Sequence, residues 1–338
     1  MHLAAPPSQA LDSRRVRSLL RRGLTALVLA GTAAPAGVWA QGAIDPNVAP
    51  RAAALERGGE RETAIDLLGR YLATAPDDGR AWLQLGRFYL LDARDWHLHG
   101  HRGDPDGPLY LDFAATALDQ AVRLSVDSGV VFRGVTEVDR VLIRLEDSGW
   151  AAVQTFGPRP DLPPMPAYIV ELGANLLTSC PAGGVLLTGS ELETVSVWYG
   201  GFARARLDVV PMRPDLYATD SLYRRRMAEA MGVNPALSVQ QALAAVAAQR
   251  PVCLSPNADM AAAPGLAWVP LKLVRVSRPT SAAAEALSVA ELLKASRQDR
   301  SPWVRDVRGV YDSAARHNVL LCSSLLPYFG DTPPPACR

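Results

Sequence analysis

The residues with the most chemistry to offer fall in a few short stretches. Thr188-Gly189-Ser190-Glu191-Leu192-Glu193-Thr194 sets hydroxyls beside two carboxylates. That mixture suits hydrogen bonding to a carbohydrate, or acid–base work by a carboxylate pair. Arg213 and Asp215, and then Ser255, Asn257 and Asp259, stand in comparable settings further along. A different chemistry is offered by His97-x-His99-x-His101, three of the five histidines in the chain. Alternate residues of an extended segment face one way, so these imidazoles could meet a zinc or copper ion. Asp104-x-Asp106-Gly107 adds oxygen donors without the rest of a calcium loop. The residues singled out are therefore Thr188, Ser190, Glu191, Glu193, Arg213 and Asn257 for a ligand, and His97, His99 and His101 for a metal. A simpler account competes for the acidic stretch. Ser190 and Glu193 have the spacing of a helix capping box, and two carboxylates two positions apart at a helix start diverge. No catalytic residue is assigned. There is no G-x-S-x-G and no phosphate loop, and Gly183-Gly184 precedes its strand rather than following it. His317 lies on an amphipathic helix and reads as a surface residue. No cofactor is expected.

A scaffold must bring the polar stretches together. From Ala167 onward, helical and apolar segments alternate. Helices are expected at 169–178, 193–204, 216–231, 238–249, 282–299 and 302–318. Short strands are expected at 184–188, around Val209-Val210, at 251–255 and at 266–276. Strands separated by helices imply a Rossmann-like α/β layer with mostly parallel pairing. In such a layer ligands bind beyond the carboxyl ends of the strands, where Thr188, Arg213 and Ser255 fall.

The N-terminal half has a different rhythm. Trp82, Leu85, Gly86 and Tyr89 form W-x2-L-G-x2-Y, and Ala64, Leu68, Tyr71 and Pro76 precede them at matching offsets. Small residues let antiparallel helices approach, large ones fill the seam between hairpins, and Pro76 closes one hairpin. The pattern, spanning about residues 45–130, resembles the tetratricopeptide repeat family. The resemblance implies a stack of helical hairpins that binds a protein or peptide partner. The second hairpin starts with a helix expected over 79–93. It then carries a His-rich insertion, expected as a loop over 95–109, before periodicity returns at Leu111–Leu124 with Ala117 and Ala121 in the small positions. A further helix is expected near 135–145. Five prolines between Gly157 and Pro166 predict a stiff linker. The expected organisation is a helical domain over 41–156, a linker at 157–166, and an α/β domain with C-terminal helices over 167–338.

The α/β part carries a second resemblance. Residues 188–199, the following Arg206-Leu207-Asp208-Val209-Val210 and Arg250-Pro251-Val252-Cys253-Leu254-Ser255 are similar to segments of a bacterial family of polytopic membrane proteins with a glycosyltransferase-like membrane part. The similarity covers about 167–280 and only that family's soluble extracytoplasmic part. Glu191 and Glu193 replace its two Asp, Leu192 and Gly189 its two Asn. The membrane-embedded portion is missing, so glycosyl transfer is not implied.

Composition fixes compartment and class. The chain of 338 residues is 49% hydrophobic and carries 35 basic against 34 acidic side chains. That balance excludes a strongly basic nucleic-acid binder. Residues 1–40 run from a basic zone (Arg14, Arg15, Arg17, Arg21, Arg22) through an apolar run (Gly23–Val38) to Trp39-Ala40, the pattern of a secretory signal peptide. The run is short for a membrane span and is interrupted by Pro35. Cleavage before Gln41 leaves 30 basic and 33 acidic residues, net −3. In an oxidising compartment four cysteines imply two disulfides. Cys322 with Cys337 is the expected local staple, which leaves Cys180 with Cys253. No Cys-x-x-Cys supports zinc. The functional expectation is an exported, periplasmic or secreted protein-binding scaffold without a membrane span after processing. The alternative is a carbohydrate- or envelope-associated enzyme or accessory factor using the loop 188–194.

Overall fold

The computed structural model describes residues 45–98, 107–155, 164–204, 207–278, 287–298, 301–329 and 333–338. The chain divides into two compact units, one ending at Asp78 and the other beginning at Gly79. Residues 1–40, the expected signal peptide, lie outside the described residues.

In the first unit, α1 (Val48–Arg57) and α2 (Arg61–Leu72) form a helical hairpin. The turn passes through Gly58-Gly59, where Gly59 has φ 84°. Glycine adopts this left-handed conformation without strain. Val48 and Ala52 are buried on α1, and Ala64, Leu68 and Leu72 on α2. Ala64, at the position expected to be small, is fully buried. The Tyr71 hydroxyl closes the unit: it accepts from the Asp45 N–H at 2.8 Å and donates to Asp78 Oδ2 at 3.0 Å.

The second unit opens with helices. These are α3 (Gly79–Leu98), α4 (Gly107–Arg123), α5 (Asp127–Ser148) and the short α6 (Trp150–Val153). The helix expected to stop near Ala93 runs to Leu98, and α4 begins at Gly107. The insertion between helices is therefore shorter than 95–109. Packing explains the extension. Trp96 lies against Gly107, where a Cβ would stand only 1.8 Å from the indole. Ala117 and Ala121 are buried as expected, whereas Trp82 is half-buried and Phe88 is the large side chain fully enclosed on α3.

Helices α7 (Ala167–Ser179), α8 (Glu191–Arg204), α9 (Pro214–Thr219), α10 (Ser221–Met231) and α11 (Val239–Gln249) alternate with strands β1 (Val185–Leu187), β2 (Val210–Met212) and β3 (Val252–Leu254). These three strands are short apolar runs, buried on every residue. β1 lies between β2 and β3 and pairs parallel with both, Val185 facing Val210 and Val252. The strand expected over 266–276 is instead a hairpin, β4 (Val269–Leu271) and β5 (Val274–Val276), turning at Lys272 with φ 49°. It joins antiparallel, β5 against β3, so the sheet is mixed, in the order β2-β1-β3-β5-β4. The helix expected at 216–231 is split at Asp220, whose carboxylate accepts from the N–H of Leu222 and Tyr223 and caps α10. Helices α12 (Ala290–Gln298), α13 (Pro302–His317) and α14 (Leu320–Phe329) follow, the last without an expected counterpart.

Val135, Val138 and Leu142 of α5 belong to one core with Trp198, Tyr223 and the strands. The helices from 79 to 153 thus sit in the same compact unit as the sheet. Of the segment expected as a linker over 157–166, residues 157–163 lie outside the described residues, and Met165 within it is buried in that core rather than held in an extended spacer. All four cysteines pair as expected, Cys180 with Cys253 and Cys322 with Cys337. Among the described residues no helix is long and apolar enough to cross a membrane.

Candidate functional site

The three parallel strands end on one side, and their polar continuations surround a cavity of about 590 Å³. Thr188, Ser190, Glu191 and Thr194 line it after β1. Arg213 and Asp215 follow β2, and Asn257 and Asp259 follow β3. Val239 and Gln240 at the start of α11 form another edge, with Ala261 and Ala262 beside Asp259. The strand order 2-1-3 makes the β1–β3 boundary a topological switch point, where two connections leave in opposite directions, and the cavity lies beside it. Five of the six expected ligand residues therefore meet in one place: Thr188, Ser190, Glu191, Arg213 and Asn257.

Glu193 is the exception. It is fully buried and does not line the cavity. Its Oε2 accepts from the Gly189 N–H at 3.0 Å and the Ser255 hydroxyl at 2.9 Å, and Oε1 accepts from the Asn257 N–H at 3.1 Å. One carboxylate thus ties the loop after β1 to the loop after β3. Burial raises its pKa above the usual carboxylate value, outweighing the hydrogen bonds from Ser255, Asn257 and Gly189. The two loops also touch directly. A Cβ on Gly189 would stand 2.1 Å from the Asn257 backbone, so no other residue fits there without moving the β3 loop.

The capping expectation is met on one side. Ser190 Oγ accepts from the Glu193 N–H at 3.2 Å, but the Glu193 carboxylate accepts from the Gly189 N–H and meets the Ser190 hydroxyl rather than the Ser190 N–H. The reciprocal arm of a capping box is therefore absent here. Ser190→Ala is expected to lower stability by about 1 kcal/mol, the usual value of such a cap, measurable as a shifted urea midpoint at unchanged slope. Beside the cap, Thr188 and Thr194 share a hydrogen bond of 2.8 Å that holds the start of α8 against the strand end.

Ion pairs set the charge around the opening. Glu191 is bound by Arg94 at 2.7 Å, and Arg94 also reaches Asp139 at 2.7 Å. Burial disfavours the Arg94 charge, yet these two carboxylates outweigh it and its pKa is raised. Arg213 and Asp215 form a two-pronged pair. Burial disfavours the charged Asp215, but the Arg213 guanidinium overcomes this and lowers its pKa. The crevice thus offers hydroxyls, amides and neutralised charges, a surface for a small polar ligand. Glu191 faces the cavity while Glu193 turns beneath it, so the two do not form an acid–base pair.

Sequence reasoning missed Arg94, Asp139 and Gln240. The first two carry no local signal, since Arg94 meets Asp139 and Glu191 only across long stretches of sequence. Gln240 follows Ser238, which caps α11 in a full capping box with Gln241, a spacing that marks the helix start. Of the three histidines, His97 stands in the last turn of α3 with Nε2 2.6 Å from Glu146 Oε2. His99 and His101, with Asp104 and Asp106, lie outside the described residues.

A tetratricopeptide repeat family model matches residues 49–88, which cover α1, α2 and the beginning of α3. No curated protein and no solved structure matches the chain. The likeness of residues 167–280 to the polytopic membrane family gains no support from these comparisons.

Proposed function

We propose that the chain is an exported scaffold of the cell envelope whose helical-repeat part binds a protein or peptide partner. The observation that carries this reading is the tetratricopeptide-repeat match over residues 49–88, on helices that form a hairpin. Repeats of this kind generally serve protein–protein binding, and their stacked hairpins supply extended surfaces for it. Export is supported by the basic, apolar and small-residue zones of residues 1–40, and by the pairing of every cysteine. The mature protein, periplasmic or secreted, is expected to begin at Gln41. N-terminal sequencing of native protein that returned Met1 or His2 would refute export.

The docking reading is tested by photo-crosslinking from Arg57 and Arg70, both exposed on the hairpin, with exposed Arg305 as control. One partner captured from both hairpin positions and not from Arg305 supports it. Equal capture from all three positions, or none from the hairpin, overturns it.

The crevice favours a second reading, an envelope-associated enzyme or accessory factor that binds a carbohydrate. Here the parallel β2-β1-β3 part serves as a Rossmann-like half, and the cavity of about 590 Å³ at its switch point takes the ligand. Crosslinks to glycan from Gln240 or Asp259 would favour this reading over the first.

A further inference from the structure

Three helical elements of the second unit converge on one point. His97 comes from the last turn of α3, Glu146 from the last turn of α5, and Asp220 from the junction of α9 and α10. One imidazole nitrogen and one oxygen from each carboxylate lie within 4.8 Å of one another. Glu146 and Asp220 are buried, and His97 is mostly so. We propose that these three side chains bind a divalent transition-metal ion of the zinc class.

The chemistry follows from the donor set. Two buried carboxylates and a neutral imidazole balance a divalent cation, which lessens the cost of keeping the carboxylates ionised away from water. A nitrogen donor among oxygens favours zinc, cobalt, nickel or copper over magnesium or calcium, which prefer all-oxygen shells. Three protein ligands leave a fourth position to water.

Neighbouring groups fix the donors. Asp220 Oδ1 accepts from the Leu222 N–H at 2.8 Å and the Tyr223 N–H at 3.0 Å, which orients the carboxylate. The Arg226 Nε donates to the Glu146 carbonyl at 2.9 Å, anchoring the end of α5 against α10. Such outer contacts hold metal ligands in place. His97 Nε2 and Glu146 Oε2 stand 2.6 Å apart, so donors from α3 and α5 already face one point.

The test uses the full mature chain without a histidine tag, stripped with chelator and titrated with cobalt(II) and then zinc(II). One cobalt per chain, visible as absorption bands that zinc abolishes, is the expected result. Glu146→Gln and Asp220→Asn should each weaken binding by at least about 100-fold, the upper end of what losing a mere outer-sphere contact costs. Asp220→Asn keeps an oxygen to cap α10, so circular dichroism and melting should show it folded. The proposal is overturned if the wild type binds no ion. It is equally overturned if binding survives both carboxylate variants and is lost in His99→Ala/His101→Ala, which would place the ion on the histidine run alone.

Discussion

Removing the Cys180–Cys253 disulfide is expected to cost about 4 kcal/mol, more than loss of any single cap or surface ion pair in the molecule. The bond closes a span of 73 residues that contains β1, β2 and all the helices between them. Restricting so long a loop in the unfolded chain removes more entropy than closing the 15-residue span of Cys322–Cys337. For that shorter span the same relation gives about 3 kcal/mol. Both Cys180 and Cys253 are buried in the core, so replacing them also loses packing. For a unit of this size, a loss of about 4 kcal/mol corresponds to a fall in melting temperature of roughly 8–16 °C. Cys180→Ala/Cys253→Ala should therefore melt about 2–4 °C below Cys322→Ala/Cys337→Ala, and the latter should leave the sheet's hydrogen exchange unchanged. Equal melting of the two variants would mean that the unfolded chain is already compact across residues 180–253, and the entropic account would fail.

The crevice was legible because its physics is local. Gly184-Val185-Leu186-Leu187 and Pro251-Val252-Cys253-Leu254 are apolar runs with turn residues before and hydroxyls after. Strands so marked, separated by helices, can pair in few ways, and their polar ends must fall together. The Ser190 cap was legible for the same reason, a spacing of three. What Glu193 does was not. Its partners Ser255 and Asn257 lie 62 and 64 residues away, and no spacing in the sequence announces them. The same holds for Arg94 on Glu191 and for His97 on Glu146. In each case two helices set by separate apolar faces bring polar partners together. The reach of α3 to Leu98 was hidden because it depends on Trp96 finding the gap above Gly107, a tertiary contact that overrides the loop-like composition after His97. The β4–β5 hairpin was hidden by Lys272, a residue whose left-handed backbone conformation sequence does not advertise.

Glu193 gives the sharpest separation between a structural and a ligand-binding carboxylate. Were it a ligand group, Glu193→Gln would alter binding and leave stability alone. In its buried setting the opposite is expected. The carboxyl must accept from the N–H groups of Gly189 and Asn257 while meeting the Ser255 hydroxyl. A protonated carboxyl can do this, since its hydroxyl donates to Ser255 Oγ and keeps a lone pair for Gly189. An amide nitrogen keeps none, so Glu193→Gln sets two donors face to face at a cost of about 1–3 kcal/mol. Glu193→Ala removes the bridge between the β1 and β3 loops altogether, and about 2–4 kcal/mol is expected from the unpaired Asn257 N–H, the freed Ser255 hydroxyl and the lost packing. Acidity gives a second, independent readout. Because burial raises the folded-state pKa of Glu193, the folded protein holds its proton at pH values where the unfolded chain has released it. The stability contributed is fully present below the ordinary glutamate value of about 4.3 and is lost as pH rises through the raised value. The stability difference between wild type and Glu193→Gln, measured by urea unfolding, should therefore be larger at about pH 4 than at about pH 7.5, other carboxylates cancelling in the comparison. A difference that instead grew with pH would show that the hydrogen bonds from Gly189, Ser255 and Asn257 outweigh burial and hold the group as a carboxylate.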